Sequence, residues 1–172
     1  MKKYILTTAI TCFLFGAQAV YAAMVLIDVS PNIDLYYDPA SARKNGNITT
    51  VWEIFNLKKF FQSNGKQFKS MKHRTAYDCK NELRQVQYSG FYSENDAEGE
   101  LVDKQDFGLD AKWEVIDPTT SVYLSYVLVC NNITFPKAYS DLLKKYQKGE
   151  ISESEFRAQS AIAIKNVLKN KK

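Results

Sequence analysis

The chain has 172 residues, with 23 Lys and Arg against 19 Asp and Glu, one His and three Cys, for a formal net charge of +4. So slight an excess of positive charge argues against nucleic acid as a partner, and a single histidine leaves little room for histidine-based catalysis. Eleven Tyr and ten Phe favour sheet over helix.

The chain opens Met1-Lys2-Lys3, continues as an apolar run from Tyr4 to Gly16, and reaches small residues at Val20 and Ala22. This is the pattern of a secretory signal, residues 1–22, cleaved after Ala22. The apolar run is too short to span a bilayer comfortably, so no transmembrane segment is expected after cleavage. Thr11 precedes Cys12 where a lipoprotein signal wants Gly or Ala, so no lipid is expected either. The opening suits a bacterium and a product of the periplasm, the outer-membrane surface or the medium.

Removing the signal leaves 21 basic and 19 acidic residues. A mature chain of about 150 residues is long enough for one domain with a real core. Its two cysteines, Cys79 and Cys130, meet an oxidising compartment, so a bridge between them is the default. Closing a loop of about 50 residues stabilises by about 4 kcal/mol in the chain-entropy picture. Two thiols with His73 make a poor zinc site, since four ligands are usual.

Met24 to Val29 reads as a strand bounded by Ser30-Pro31-Asn32, and Leu35 to Tyr37 as a second, closed by Asp38-Pro39. Residues 38–46 have turn chemistry, with an Asp-Pro start and an Asn-Gly end. Thr49 to Phe55 is a third strand, with Trp52 and Ile54 on one face and Val51 and Phe55 on the other. Residues 57–65 read as a loop ending in Ser63-Asn64-Gly65.

The chain is organised around Gln67 to Cys79 and its continuation to Tyr92, two strands meeting at a cysteine. On the first, Met71, Tyr77 and Cys79 share one face and Lys66, Lys72, Arg74 and Asp78 the other. On the second, Leu83 to Tyr92, alternation puts Val86, Tyr88 and Tyr92 together. Residues 93–99 are a polar turn; 100–105 and 112–116 each suit a strand.

Asp117-Pro118-Thr119-Thr120 is a helix-start signal. Ser121 to Val129 suits a buried strand by propensity and a buried helix by length, and periodicity leaves both open. Ala138 to Gln147 reads as a helix stopped at Gly149. Ser152 and Glu155 form a capping box that starts another, with Phe156, Ala163 and Val167 on one stripe. The expected division is a sheet domain over 23–136 and a helical tail over 137–172.

Charge is segregated. Residues 58–84 carry eight basic groups (Lys58, Lys59, Lys66, Lys69, Lys72, Arg74, Lys80, Arg84) against two acids, and residues 94–117 carry nine acids against Lys104 and Lys112. The basic run suits an anionic partner; the alternative is neutralisation by the acidic block, within the fold or across a homodimer. His73, between Lys72 and Arg74, reads as a surface or edge-strand residue with no serine motif beside it. Seven glycines form no phosphate loop, and the acidic segment lacks calcium-loop spacing. Asn47-Ile48-Thr49 and Asn132-Ile133-Thr134 match the glycosylation pattern by accident in a bacterial product. These residues point to a binding protein without cofactor, not to an enzyme.

Three stretches, Asp34 to Gly46, Ser70 to Cys79 running into Gln85-Val-Gln-Tyr-Ser-Gly-Phe-Tyr92, and Asp117 to Cys130, resemble the surface-adhesin protein E family of bacterial envelopes. The resemblance spans about Val25 to Asn132 and rests on the order and spacing of all three with both cysteines in place. It implies an α+β fold: a curved antiparallel sheet of about six strands, with a helix over Thr119 to Cys130 tethered by the disulfide, followed here by a C-terminal helical hairpin. It implies binding of host matrix or serum proteins, vitronectin and laminin among them, or of sulfated glycans, through the basic strand. The matching cations are Lys66, Lys69 and Lys72, to which this chain adds Arg74; Lys80 and Arg84 extend the set. The tail is similar to the SHOCT helical module in its Lys148-Gly149-Glu150-Ile151-Ser152 core, which implies protein contact. The rival reading is a structural envelope protein that self-associates and binds no host ligand.

Overall fold

The computed structural model describes residues 24–131 and 137–169. The signal segment with Cys12, the Asn132 acceptor pattern, the last three residues and the side chain of Val167 lie outside what is described. Seven strands form one antiparallel sheet: β1 Val25–Val29, β2 Ile33–Asn45, β3 Ile48–Ser63, β4 Lys66–Asp78, β5 Leu83–Tyr92, β6 Leu101–Asp106 and β7 Glu114–Val115. The spatial order is β1-β2-β3-β4-β5-β6, with β7 beside β5. Three helices follow: α1 Ser121–Asn131, α2 Lys137–Gln147 and α3 Glu153–Lys169.

Successive strands pair through short turns. Asn64 and Gly65 both have positive φ (50° and 77°) between the paired Ser63 and Lys66, so Asn-Gly here is the hairpin turn itself. β2 and β3 are therefore longer than residue type suggests. Residues 38–45 are strand, and only Gly46-Asn47 turns. The polar residues there build a bulge, a register shift between Asp38 and Arg43. Asp38 Oδ1 accepts the Ala40 N–H at 2.9 Å, and Ser41 Oγ accepts the Trp52 N–H at 2.9 Å, taking the place of a ladder carbonyl. Residues 57–63 likewise continue β3, past a shift between Asn56 and Phe61.

A third irregularity decides which side chains face where. Arg74 pairs with Tyr88, but Thr75 pairs with Val86, so Gln87 is the extra residue on β5. The side-chain period of two slips by one there. Val86 consequently joins the face of Thr75, while Tyr88 and Tyr92 lie on the other. The expected grouping of Val86 with the two tyrosines fails for this reason.

α1 covers one face of the sheet. Tyr126, Val127 and Leu128 form a core with Ile27, Val29, Leu35, Val51, Phe55 and Tyr77, all nearly inaccessible. The helix is apolar nearly all round, as a helix buried on several sides must be. Its start is prepared by Asp117, whose Oδ1 accepts the Thr119 N–H at 2.8 Å and hydroxyl at 2.7 Å. Its last turn is tied to the end of β4 by the Cys79–Cys130 disulfide, with a Cα–Cα distance of 5.3 Å. Beneath α1 lies Glu53, 1% exposed, accepting from Thr75 Oγ1 at 2.6 Å and Tyr77 Oη at 2.8 Å.

The tail packs on the same core. The Tyr139 hydroxyl donates to the Leu26 carbonyl on edge strand β1 at 2.8 Å, and Phe156 is 1% exposed between Tyr139 and Tyr146. The capping box forms: Glu155 Oε2 accepts the Ser152 N–H at 2.8 Å, and Ser152 Oγ accepts the Glu155 N–H at 3.3 Å.

Candidate functional site

β4 lies between β3 and β5, and its alternate residues serve two faces. Toward α1 point Met71, His73, Thr75 and Tyr77, in register with Phe55, Glu53, Val51 and Thr49. The opposite face carries two cross-strand rows, Trp52–Arg74–Tyr88 and Ile54–Lys72–Gly90. Lys72 Nζ sits 5.1 Å from the Trp52 ring centroid, a cation–π contact, and Trp52 meets Tyr88 edge-on at 5.7 Å. Arg74 Nε is buried in this row without a hydrogen-bond partner. Gly90 is where a side chain would collide: a Cβ there would come within 3.0 Å of both the Tyr88 hydroxyl and the Tyr92 ring. The two tyrosines thus fold over the glycine beside Lys72. Burial first, then the nearby Tyr88, hold the Tyr92 phenol above its usual range.

The remaining predicted cations are dispersed. Lys69 Nζ lies 5.4 Å from the ring centroid of Phe60, which is 57% exposed in β3 beside Phe61 at 50%. Lys66, at the start of β4, pairs with Glu100 at 2.7 Å; hydrogen bonding and the charge of Lys66 hold the Glu100 carboxyl below its usual range. Lys80 is exposed in the turn after β4, about 45 Å along the chain from Lys66 at roughly 3.3 Å per residue. Arg84 faces the α1 side, opposite Tyr77 in register, and pairs with Glu114 at 3.2 Å. Two of the predicted cations are thus neutralised by the acidic segment, while Lys72 and Arg74 stand together on one face. The aromatic partners Trp52, Tyr88 and Tyr92 were not among the predicted site residues. Trp52 alternates onto that face in the sequence, whereas the tyrosines join it through the bulge at Gln87.

His73 is not at an edge, which corrects that part of the sequence reading, and it is partly buried. It lies on a central strand, its ring 4.8 Å from that of Phe55, and shares a pocket of about 390 Å³ with Arg84, Ser89 and Lys112. Burial, and secondly the Arg84 charge, push its pKa down from 6.5 to about 4. Among the described residues no group of His, Cys, Asp and Glu is arranged to hold a metal, and no helix is long and apolar enough to cross a membrane.

The family model described as surface-adhesin protein E matches residues 25–131. A structure of Haemophilus influenzae protein E is 20% identical over 62% of this chain and 84% of that one, with a TM-score of 0.47. A crystal structure of protein E from non-typeable Haemophilus influenzae is 15% identical over 84% of this chain and 91% of that one, with a TM-score of 0.49. No curated protein matches the chain significantly.

Proposed function

Because the chain belongs to the surface-adhesin protein E family, whose model covers residues 25–131, we propose that it is an exported adhesin gripping host matrix or serum proteins through the β4 face opposite α1. The observation that supports this reading is Lys72 and Arg74 on one face with Trp52 and Tyr88. Cations set among aromatic side chains suit acidic, sulfated or aromatic segments of a partner, with an affinity that salt weakens. Vitronectin, laminin and sulfated glycans have that chemistry. Lys69, one residue out of phase with Lys72 and Arg74 on β4, lies over Phe60 nearer the hairpin tip, and exposed Lys80 adds to long-range attraction, whereas Lys66 and Arg84 are held by Glu100 and Glu114. In the same reading residues 23–136 form the adhesin domain, and residues 137–172 a SHOCT-like module that has docked on edge strand β1.

The test replaces Lys69, Lys72 and Arg74 with alanine and measures binding to immobilised vitronectin, laminin and heparin at low and physiological salt. The parent binds at least one, more tightly at low salt, and the triple variant loses most of that binding while unfolding cooperatively. A parent that binds none, or a folded variant that binds equally, refutes the reading.

A second reading, self-association without a host ligand, draws on one observation. Phe107, Leu109 and Trp113 between β6 and β7, and Val115 in β7, are exposed, Leu109 and Val115 at 80%. Sedimentation across a concentration series decides it: a monomer at all concentrations removes this reading.

A further inference from the structure

A cleft of about 470 Å³ opens between β1, the approach to α1 and helix α3, and none of its lining residues belongs to β3, β4 or β5. Three polar groups converge on it from two elements, Asp28 from β1 and Arg157 and Ser160 from α3. Asp28, 9% exposed, accepts the Ser121 hydroxyl at Oδ2. Arg157 reaches toward the same carboxylate, its Nε 3.9 Å from Oδ1. Ser160 is 5% exposed, and its hydroxyl has no hydrogen-bond partner. Ile27 and Leu124 add apolar lining.

These groups are not satisfied by one another. A separation of 3.9 Å lies outside the roughly 2.7–3.2 Å of a direct N–H···O bond, so Oδ1 and the guanidinium both keep unused capacity. A buried hydroxyl without a partner is unfavourable and is a place where a ligand gains by binding. The charges decide which ligand. A simple cation would gain Asp28 and be repelled by Arg157; a simple anion would meet the reverse. A molecule carrying both charges a few ångströms apart satisfies both, and the cleft has room for a side chain beyond them, within the roughly 300–1,000 Å³ usual for ligand pockets.

We propose that this cleft binds a small zwitterion of the α-amino-acid class, its ammonium on Asp28 Oδ1 and the Ser160 hydroxyl, its carboxylate on Arg157. The site joins the helical tail to the sheet, so the ligand ties α3 to β1. It does not depend on the adhesive reading of β4.

Isothermal titration calorimetry on the full mature protein tests it, with L-alanine and L-leucine as probes and ethylamine and acetate as single-charge controls. At least one amino acid binds, and both controls bind at least about tenfold more weakly, the scale of one lost charge-assisted hydrogen bond. Arg157 is half-exposed, so Arg157→Gln keeps the fold and brings the amino acid down to the ethylamine level. Ser160→Ala weakens binding several-fold without lowering the melting temperature. Absence of heat with both amino acids, controls that bind as well as they do, or an Arg157→Gln protein that binds unchanged overturns the proposal.

Discussion

His73 offers the sharpest test of how the sheet is covered. Burial against Phe55 and the charge of Arg84 lower its pKa from 6.5 to about 4. The folded protein therefore binds the proton less well than the unfolded chain. The stabilisation is full above the unfolded value of 6.5 and is lost as pH falls through the interval down to about 4. A shift of that size, at about 1.4 kcal/mol per pH unit, corresponds to roughly 3 kcal/mol. Against a total stability of about 5–15 kcal/mol this is a large loss. The comparison is between the parent and His73→Gln, which cannot gain the proton. Urea unfolding at pH 7 and pH 4 should show the parent losing about 3 kcal/mol more than the variant over that interval; any constant offset from lost packing on Phe55 cancels in the difference. As the chain has one histidine, proton NMR of its ring gives a single titration to read directly. A midpoint near 6.5, or parallel stability curves for the two proteins, would show that the ring is solvated and that the α1 face is not closed around it.

Glu53 gives the opposite sign: burial raises its carboxyl above the usual value, so its contribution is present at low pH and is lost as pH rises through the folded value. Glu53→Gln should therefore gain stability relative to the parent between pH 4.5 and pH 8 in urea titrations, and a constant difference would contradict the burial. Non-reducing peptide mapping should recover Cys79 joined to Cys130, and reduction should lower unfolding stability by about 4 kcal/mol for a loop of about 50 residues, measured by denaturant titration with and without reductant. Deleting residues 137–172 should leave one cooperative transition, weakened by about 3–5 kcal/mol because Tyr139 and Phe156, each 1% exposed, no longer pack on β1; loss of cooperativity in calorimetry would show that the tail is part of the folding unit.

Local chemistry made much of this fold legible. The bounds of β5 coincide with the strand expected over Leu83 to Tyr92, and Ser152 with Glu155 fixed the start of α3 because a capping box is a contact between near neighbours. What was hidden depended on pairing across the sheet. Asp38-Pro39 reads as a chain reversal until Trp52 is seen to take Ser41 Oγ as its acceptor, which lets β2 continue. Ser121 to Asn131 is apolar nearly all round, so its conformation was fixed by what surrounds it and by its tether at Cys130, not by its own pattern. In the site, the cations were visible as residue types, but their division between faces was not. Lys72 and Arg74 follow simple alternation on β4; Tyr88 and Tyr92 reach them only because Gln87 is an extra residue.

In the proposed adhesive reading, the two faces of β4 separate binding from stability. Along β4 the residues turned toward α1, from Met71 to Tyr77, hold the core and its buried Glu53, while their immediate neighbours carry the charge. A substitution at one set need not disturb the other, since adjacent side chains project to opposite faces. Lys72 fits this separation well: its charge rests on the Trp52 ring, and an exposed contact of this kind contributes about 0.5–1 kcal/mol. Arg74 fits it poorly, because its Nε is buried in the row between Trp52 and Tyr88, and removing its stem leaves a gap beneath two aromatic rings. If β4 binds as proposed, Lys72→Ala reports on binding almost alone, whereas Arg74→Ala reports on binding and on the packing of the face together. A drop in affinity shared by both, with a loss of melting temperature only in the second, is the signature of a charged surface laid over an aromatic one.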